Sequence, residues 1–387
     1  MKRQEHERLI VVVSAAIFLE TLFYAVITPL LPSLSHQLQL SKATAGLMIA
    51  AYPAGTLIAA LPGGALAVRR GSRFTLIAGL LLVVVSTVGF ALLNSAAGLG
   101  LARFVEGVGG ALAWAGGLAW IVAVTPAERR GAVMGRALGT SIAGSLFGPA
   151  IGAVASATGR AALFCALAAL ASVLLVPIAR APDPKISSGQ PVVDVLRVLH
   201  RPALAGAMWL MLLPAIVSGG FNVLGPLQLH HLGASAAVIG ITFLVGAGVE
   251  ALISPIAGRF SDRHGRTLPL RGGLIGVGIG LACFSLAASS AALALLLVLT
   301  TIPLGVFWAP VMALVADVAE AQGIDQAHAA ALMNLSWAAG QIIGSAGSGA
   351  AGKAFGNAVP TLAITLLCLG TLLGLRAVRV RREPAPA

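Results

Sequence analysis

Apolar residues dominate the chain in twelve long segments, which short polar or glycine- and proline-containing stretches separate. Each segment is about as long as the roughly 20 residues that a helix needs to cross a hydrocarbon core. Glycine and proline are tolerated inside membrane helices, so they do not by themselves end a segment. The pattern predicts an all-α membrane protein with twelve transmembrane helices, over residues 9–34, 44–67, 74–94, 97–124, 132–156, 160–180, 203–229, 236–258, 268–289, 291–316, 329–352 and 358–378.

The longest polar connection between these segments is residues 181–200, APDPKISSGQPVVDVLRVLH. Its proline, serine, glycine and charged residues are typical of a linker. We therefore expect an N-terminal half over residues 1–180, a cytoplasmic linker, and a C-terminal half over residues 201–387, with six helices in each half.

An internal repeat supports this division. Residues 64–76 read GALAVRRGSRFTL and residues 258–270 read GRFSDRHGRTLPL, and the two stretches are offset by 194 positions. Two glycines of the fifth segment also align with two of the eleventh, at an offset of 196 positions: Gly144, Gly148, Gly340 and Gly344. Parallel repeats of this kind predict a binding site near the membrane midplane, between the two halves.

Composition and charge agree with a membrane location. The chain is 58% hydrophobic and 10% charged, whereas soluble domains carry about 25% charged residues. If the N-terminus is cytoplasmic, 21 of the 25 Lys and Arg residues lie at cytoplasmic ends and loops and three lie opposite. This asymmetry predicts a multi-pass protein of the cell (inner or plasma) membrane with both termini cytoplasmic. The net charge of +12 is then a topology signal, and we expect no nucleic-acid partner.

Residue types that carry enzymatic or metal chemistry are sparse. The three cysteines lie singly within apolar segments, without metal-ligand spacing or a disulfide framework. The sequence has no phosphate-cradling loop, zinc motif or Ser/His/Asp set. We therefore expect no catalytic residues, no cofactor and no bound metal. The N-terminus resembles a signal peptide, but its apolar run is long and contains Glu20, so we interpret it as a spanning helix.

Four ionisable residues lie deep within apolar segments: Glu20, Arg103, Glu106 and Glu250. A charged group at that depth costs about 2.5–3.5 kcal/mol on insertion scales, so such residues are functional candidates by default. A carboxyl group near the midplane can bind and release a proton, and Arg103 and Glu106 share one helix face and can pair. The alternatives are protonated carboxyl groups that serve packing alone and a permanent structural ion pair.

The fifth segment, GRALGTSIAGSLFGPAIGA, combines regularly spaced glycines with a proline: Gly135, Gly144, Gly148, Pro149 and Gly152. Small residues every fourth position allow another helix to approach closely in lipid, and the proline favours a kink. This spacing resembles the antiporter motif of the major facilitator superfamily, whose usual final glycine is Ala153 here. The resemblance implies a joint between moving parts.

The repeated loop carries a second resemblance to that superfamily. The later copy matches its signature loop at Gly258, Asp262, Arg263, Gly265 and Arg266. The earlier copy has Val68 where the family has an acid, but it keeps five other positions of the pattern: Gly64, Leu66, Arg69, Gly71 and Arg73. The resemblance implies that Asp262 forms a latch, which holds the cytoplasmic side closed through contact with the start of the fifth helix, near Gly131. The equivalent latch from the earlier copy would lack its acid.

The fourth segment contains LGLARFVEGVGGA, which resembles a family motif with an arginine followed four residues later by a glycine, here Arg103 and Gly107. The first segment contains LETLFYAVITPLLP, which resembles the drug-efflux branch. By this resemblance the first, fourth, seventh and tenth helices line the transport path, with the eleventh nearby. The cavity candidates on them are Tyr24, Trp114, Asn222, Phe307, Trp308, Asn334, Trp337 and Gln341.

Together these features predict a secondary transporter that resembles a drug:proton antiporter of twelve helices. We expect it to act as a monomer in the lipid bilayer and to export a small, lipophilic or weakly cationic compound in exchange for protons. One alternative is a proton-coupled importer on the same fold, which the glycine–proline pair at 148–149 disfavours by resemblance. Others are a transport-inactive membrane sensor and a membrane-embedded enzyme, for which no catalytic constellation is found.

Overall fold

The computed structural model describes residues 3–125, 127–183, 197, 199–324 and 326–375. These residues form no strand and contain twelve long helices: α1 (Arg3–Gln37), α2 (Lys42–Arg70), α3 (Ser72–Leu92), α4 (Ala96–Val124), α5 (Ala127–Thr158), α6 (Arg160–Arg180), α7 (Pro202–His231), α8 (Ala236–His264), α9 (Thr267–Phe284), α10 (Ser290–Ala321), α11 (Gln326–Phe355) and α12 (Ala358–Gly374). The predicted all-α fold of twelve helices is confirmed. Several helices, such as α5 and α10, extend about one turn beyond the predicted spans.

Ten of these helices are long and apolar enough to cross a membrane. The two others are α11, which is rich in glycine, serine and other small or polar residues, and α12, which has 17 residues. Part of the predicted last span, 358–378, lies outside the described residues, as does most of the predicted linker at 181–200. The chain is that of a multi-pass membrane protein.

Serine residues begin four of the helices in the same way. The hydroxyl oxygens of Ser41, Ser95, Ser235 and Ser289 accept hydrogen bonds from the amide three residues later, at 3.2, 3.1, 3.3 and 3.2 Å. Such caps satisfy amides that would otherwise lack a partner at a helix start. Ser41 and Ser235 begin α2 and α8, and Ser95 and Ser289 begin α4 and α10, so the caps follow the sequence repeat.

Glycine stripes allow two pairs of helices to pack backbone to backbone. In α5, a Cβ added at Gly144, Gly148 or Gly152 would clash with the backbone or side chains of α1. In α11, a Cβ added at Gly340 or Gly344 would clash with α7. The close approach predicted from the glycine spacing is confirmed for α5, and α11 packs on α7 in the corresponding way.

Most buried apolar side chains form separate cores in α1–α6 and in α7–α12. A further cluster around Leu30 and Leu34 of α1 also contains Val223 of α7, so it joins the two sets of helices. It lies towards what we call the first-turn end of the bundle, where residues 38–41 join α1 to α2. We call the opposite end, where α1 begins, the terminal end.

Small residues bring the two sets of helices together towards the first-turn end. A Cβ added at Gly46 of α2 would lie 3.1 Å from Cα of Gly349 of α11. A Cβ added at Gly240 of α8 would lie 2.7 Å from Cβ of Ala153 and 3.0 Å from the carbonyl oxygen of Pro149, both on α5. The glycines therefore make contact between the halves possible at backbone distance.

Hydrogen bonds also join the halves at this end. The ammonium group of Lys42, at the start of α2, donates to Oδ1 of Asn357 over 2.6 Å. The side-chain amide of Asn357 donates in turn to Oε1 of Gln228, near the end of α7, over 2.7 Å. One residue of the first half is thus tied to two of the second, and the first-turn end is closed in this structure.

The glycine packing of α11 on α7 leads to a stability prediction. Leucine at position 344 would force its side chain into the carbonyl group of Ile216, so we expect Gly344→Leu to lower the free energy of unfolding by about 1–3 kcal/mol. Thermal unfolding in detergent measures this change. Gly347→Leu on the same helix is the control, because no heavy atom lies within 4 Å of an added Cβ there. Equal losses in both variants would contradict the proposed cause.

Candidate functional site

The centre of the first half contains a buried carboxyl group with several hydrogen-bond donors. Glu20 of α1 is 1% exposed. Its Oε1 accepts a hydrogen bond from the hydroxyl of Tyr52, and its Oε2 accepts one from Nε1 of Trp114 over 2.9 Å. A Cβ at Gly110 of α4 would overlap Oε1, so glycine at that position leaves room for the carboxyl group. Three helices therefore build the surroundings of Glu20.

A buried ion pair lies next to this carboxyl group. Nη1 of Arg103 is 3.0 Å from both carboxylate oxygens of Glu106, one helical turn further along α4. Nη1 also donates to the carbonyl oxygen of Phe23 at 3.4 Å, and Nη2 donates to that of Tyr24 at 3.3 Å. Arg103 and Glu106 are 2% and 3% exposed. The pairing predicted from their spacing is present, and its role in proton coupling stays a prediction.

Aromatic rings surround the guanidinium group and lie beside Glu20. The guanidinium carbon of Arg103 lies 5.0 Å from the ring centre of Tyr52 and 5.7 Å from that of Tyr24, within cation–π range. The two tyrosine rings are 4.7 Å apart. Trp337 of α11 approaches them from the second half, with its ring centre 5.7 Å from that of Tyr24 and 6.4 Å from that of Tyr52.

Tyr52 is the central residue that the sequence analysis missed. It lies on α2, which was not among the helices expected to line the path. Its backbone carbonyl is also in close contact with Gly107, where an added Cβ would overlap it. One signal was available, because the chain contains only two tyrosines and both belong to this cluster. Thr21 and Ser141, whose hydroxyls lie 3.1 Å apart beside Glu20, were missed as well.

The cavity candidates divide into two groups. The structure brings Tyr24, Trp114 and Trp337 together around Glu20 and Arg103. Phe307 is buried in the core of the second half against Gly273, and Trp308 packs on the same core. Asn222 is half-buried, Asn334 is exposed, and Gln341 is buried beside Gly219 of α7. A contact of these side chains with a transported compound stays a prediction.

Glu250 of α8 belongs to the second half. It is half-buried and packs against Gly305 of α10, and it lies within electrostatic range of the Tyr24 hydroxyl. Among the residues that the structure describes, its carboxylate has no hydrogen-bond or ion-pair partner. Glu250 is thus a third deep carboxyl group, carried by a helix of the second half.

The two copies of the repeated loop make similar turns. Gly71 and Gly265 end α2 and α8 with φ of 95° and 83°, which other residues rarely adopt. Arg266 forms an ion pair with Asp317 at the end of α10. Gly64 has open space around it, and a Cβ at Gly258 would make only ordinary contact with Ala309.

The first copy of the repeated loop has no acid at position 68, but an acid from another segment lies beside it. Asp183, after α6, accepts a hydrogen bond from the backbone amide of Arg73 at 3.2 Å, where the N-terminus of α3 favours a negative charge. The guanidinium of Arg73 donates to the carbonyl oxygen of Ala181 at 2.9 Å. The sequence analysis did not identify Asp183, because it lies in the connection after the sixth helix.

The predicted latch of Asp262 stays a prediction. Asp262 and Arg263 are exposed at the terminal end. The surroundings of Gly131, the expected partner position, lie outside the described part of the structure, and so do those of Gly135. Pro149 lies within the continuous helix α5.

Comparison with protein families identifies the fold. The model of the Major Facilitator Superfamily matches residues 13–249 and 212–387, which together cover nearly the whole chain. The chain belongs to the Major Facilitator Superfamily. It is therefore a member of a transporter family rather than of an enzyme family, as the sequence predicted.

Proteins named for amine transport are among those similar in sequence to this chain. This superfamily member is 28% identical over 269 residues to a protein of Homo sapiens named synaptic vesicular amine transporter, and 28% identical over 274 residues to its counterpart of Mus musculus. The human match covers 66% of this chain and 51% of that protein, so the chain spans about half the length of these relatives. The drug:proton antiporter branch that the sequence suggested is not established by these matches.

Solved structures support the fold of this transporter. A bacterial homologue of the human lysosomal transporter Spinster, in an inward-facing and occupied conformation, superposes with a TM-score of 0.84 at 14% identity over 100% of both chains. A D-xylose-proton symporter superposes with a TM-score of 0.74 at 18% identity, over 95% of this chain and 96% of that chain. At these identities the likeness extends to the fold alone.

The charges at the centre of the transporter do not balance. Glu20 and Glu106 contribute two carboxyl groups, and Arg103 contributes one cation. When all three are ionised, the cluster carries one net negative charge in surroundings that exclude water. An uncompensated buried charge costs several kcal/mol, so the cluster favours binding of one further positive charge. A proton on a carboxyl group or a cationic compound beside it satisfies that demand.

The hydroxyl of Tyr52 should contribute measurably to the stability of this transporter. Tyr52→Phe keeps the ring but removes a donor to a buried carboxyl group, so we expect the free energy of unfolding to fall by about 1–3 kcal/mol. Thermal unfolding in detergent is the measurement. Tyr24→Phe is the matched control, because the Tyr24 hydroxyl makes no hydrogen bond with the described residues and its loss should cost less. A larger loss for Tyr24→Phe would contradict this assignment.

Proposed function

We propose that this transporter exports a small, lipophilic or weakly cationic organic compound in exchange for protons, by alternating access. In this mechanism a proton and a cationic compound compete for the negative charge of one site. The compound binds when the carboxyl group of Glu20 is ionised, and protonation of that group releases it.

The unequal number of buried charges is the observation that carries this proposal. Arg103 already pairs with Glu106 at 3.0 Å, so Glu20 lacks an ion-pair partner of its own among the described residues. Its hydrogen bonds from Tyr52 and Trp114 come from neutral groups. A neutral donor stabilises a carboxylate without cancelling its charge, so the site can still accept one proton or one cation.

The aromatic side chains suit an organic cation. Cations bind favourably over the faces of tyrosine and tryptophan when they are shielded from water. Tyr24, Tyr52 and Trp337 form such faces near the carboxyl groups, and the surrounding helices are largely apolar. Similarity to proteins named synaptic vesicular amine transporters also supports a compound that carries an amine.

The packing between the halves supports a rocking mechanism. The first-turn end is closed by contacts such as Gly46 with Gly349 and by the hydrogen bonds around Asn357. The excess of Lys and Arg residues at the terminal end favours a cytoplasmic location for that end. We therefore propose that this structure represents a state closed to the outside, in a plasma or inner membrane, and that the protein acts as a monomer.

Everted membrane vesicles test proton exchange directly. The lumen is acidified and a dye reports its pH, and a panel of lipophilic amines, quaternary ammonium compounds, sugars and nucleosides is added in turn. We expect an amine or quaternary ammonium compound to dissipate the gradient with the wild-type protein. Glu20→Gln should abolish this response, because the site then lacks both the proton acceptor and the charge imbalance.

A matched variant separates charge from general disturbance. Glu320→Gln makes the same chemical change at an exposed position at the end of α10, and should leave the response unchanged. Dissipation by sugars or nucleosides alone would overturn the proposed substrate class. Movement of the compound out of the acidic lumen together with protons would establish the importer instead. Equal responses in wild type and Glu20→Gln would exclude Glu20 as the coupling residue.

A further inference from the structure

We infer that Trp337 is a positioning residue that couples the protonation state of Glu20 to the position of the second half. This inference rests on the proposed function, because it assigns the element that would make proton binding and rocking interdependent. It differs from a role in the cavity wall, in which Trp337 would only contact the transported compound.

The proposed proton site lies entirely within the first half. Glu20, Arg103 and Glu106 all lie on α1 and α4, and Tyr52 and Trp114 lie on α2 and α4. All of these helices belong to the first half. A rigid-body movement of one half against the other leaves their mutual distances unchanged, so it can alter the carboxyl groups only through access to water and through contacts from the second half.

Trp337 brings the second half into direct contact with this cluster. It lies on α11, and its ring meets those of Tyr24 and Tyr52 edge-on, at 5.7 and 6.4 Å between ring centres. Edge-to-face pairs at such distances are favourable arrangements for aromatic rings. Among the aromatic pairs of the described residues, these are the ones that join the two halves.

Tyr52 carries the contact onward to the charged groups. Its hydroxyl donates to Glu20, and its ring lies 5.0 Å from the guanidinium carbon of Arg103. The position of Tyr52 therefore affects the hydrogen bond that Glu20 accepts. It also affects Arg103, which pairs with Glu106. When the second half moves, Trp337 leaves or presses on the tyrosine rings, and Tyr52 changes its contact with Glu20.

By thermodynamic linkage, the same coupling acts in reverse. If movement of Trp337 changes how readily Glu20 holds a proton, then protonation of Glu20 must change the preferred position of the second half. The titratable and charged groups around Glu20 in the described structure are Tyr24, Tyr52, Arg103 and Glu106, with Glu250 facing Tyr24 from α8. The response to pH is therefore assigned to Glu20 only if Glu20→Gln removes it.

The test measures the distance between the halves without any transported compound. Cys165, Cys283 and Cys368 are replaced by alanine, and spin labels are attached at Phe74→Cys and Leu268→Cys. Both positions are exposed and begin α3 and α9 at the terminal end, one in each half. Double electron–electron resonance in lipid nanodiscs then measures the distances between the two labels. The quantity compared at acidic and alkaline pH is the ratio of the short-distance population to the long-distance population.

The variants distinguish coupling from packing. We expect the wild-type ratio to change with pH and Glu20→Gln to remove that change. Trp337→Ala should reduce the pH-dependent change roughly fivefold, since it removes two aromatic contacts. Trp337→Phe should restore much of it, because an edge-on ring remains. Trp209→Ala removes a tryptophan of the second half that is 39% exposed and donates a hydrogen bond to Thr371, outside the cluster, and it should behave as wild type.

Several results would overturn the inference. A wild-type ratio that does not respond to pH would do so, and so would a Trp337→Ala ratio that responds as strongly as wild type. A Trp209→Ala variant that loses the response equally would show a general packing effect. The proposed function fails separately. If the distances depend on pH and Trp337 while no compound moves protons in vesicles, the coupling stands and the exporter proposal falls.

Discussion

Two carboxyl groups and one guanidinium group, all buried within membrane helices, form the constraint on which the rest of this structure depends. Lipid offers no water to solvate them, so every neighbouring position must supply partners or space. Glycine at position 110 leaves room for the carboxyl group of Glu20, and carbonyl groups of α1 accept hydrogen bonds from Arg103. Among the described residues no second cation reaches the cluster, and in the proposed mechanism this deficit gives the site its chemistry.

The proposed mechanism places the opposite requirement on the surrounding helices, which is to move. Glycine stripes let α5 pack on α1 and α11 pack on α7 within each half, where tight backbone contact makes a rigid body. Between the halves, contact comes from glycines, from the apolar cluster around Leu30 and Leu34, and from the hydrogen bonds of Asn357, near one end of the bundle. Interfaces of this kind can separate without disturbing either core. The aromatic contact of Trp337 lies where the charged cluster meets that movable interface.

Much of the fold was predictable because its signals are local. The length and hydropathy of each segment identify the helices, and the glycine spacing of α5 correctly predicted a close neighbour. The repeat at an offset of 194 positions predicted matching turns, which Gly71 and Gly265 make with similar φ angles. The spacing of Arg103 and Glu106 on one helix face predicted their pairing. Each of these inferences needs only residues that are near in sequence or equivalent by repetition.

The sequence by itself determined which residues are deep, small or charged, because burial in lipid excludes most alternatives for such segments. It did not determine which side chains of different helices meet. Tyr52 belongs to the site because α2 crosses α4 beside Gly107, and Asp183 reaches the start of α3 from beyond α6. Phe307, another cavity candidate by sequence, is buried in the core of the second half in this structure. Helix rotation and crossing decide these contacts, and they depend on the packing of all helices together.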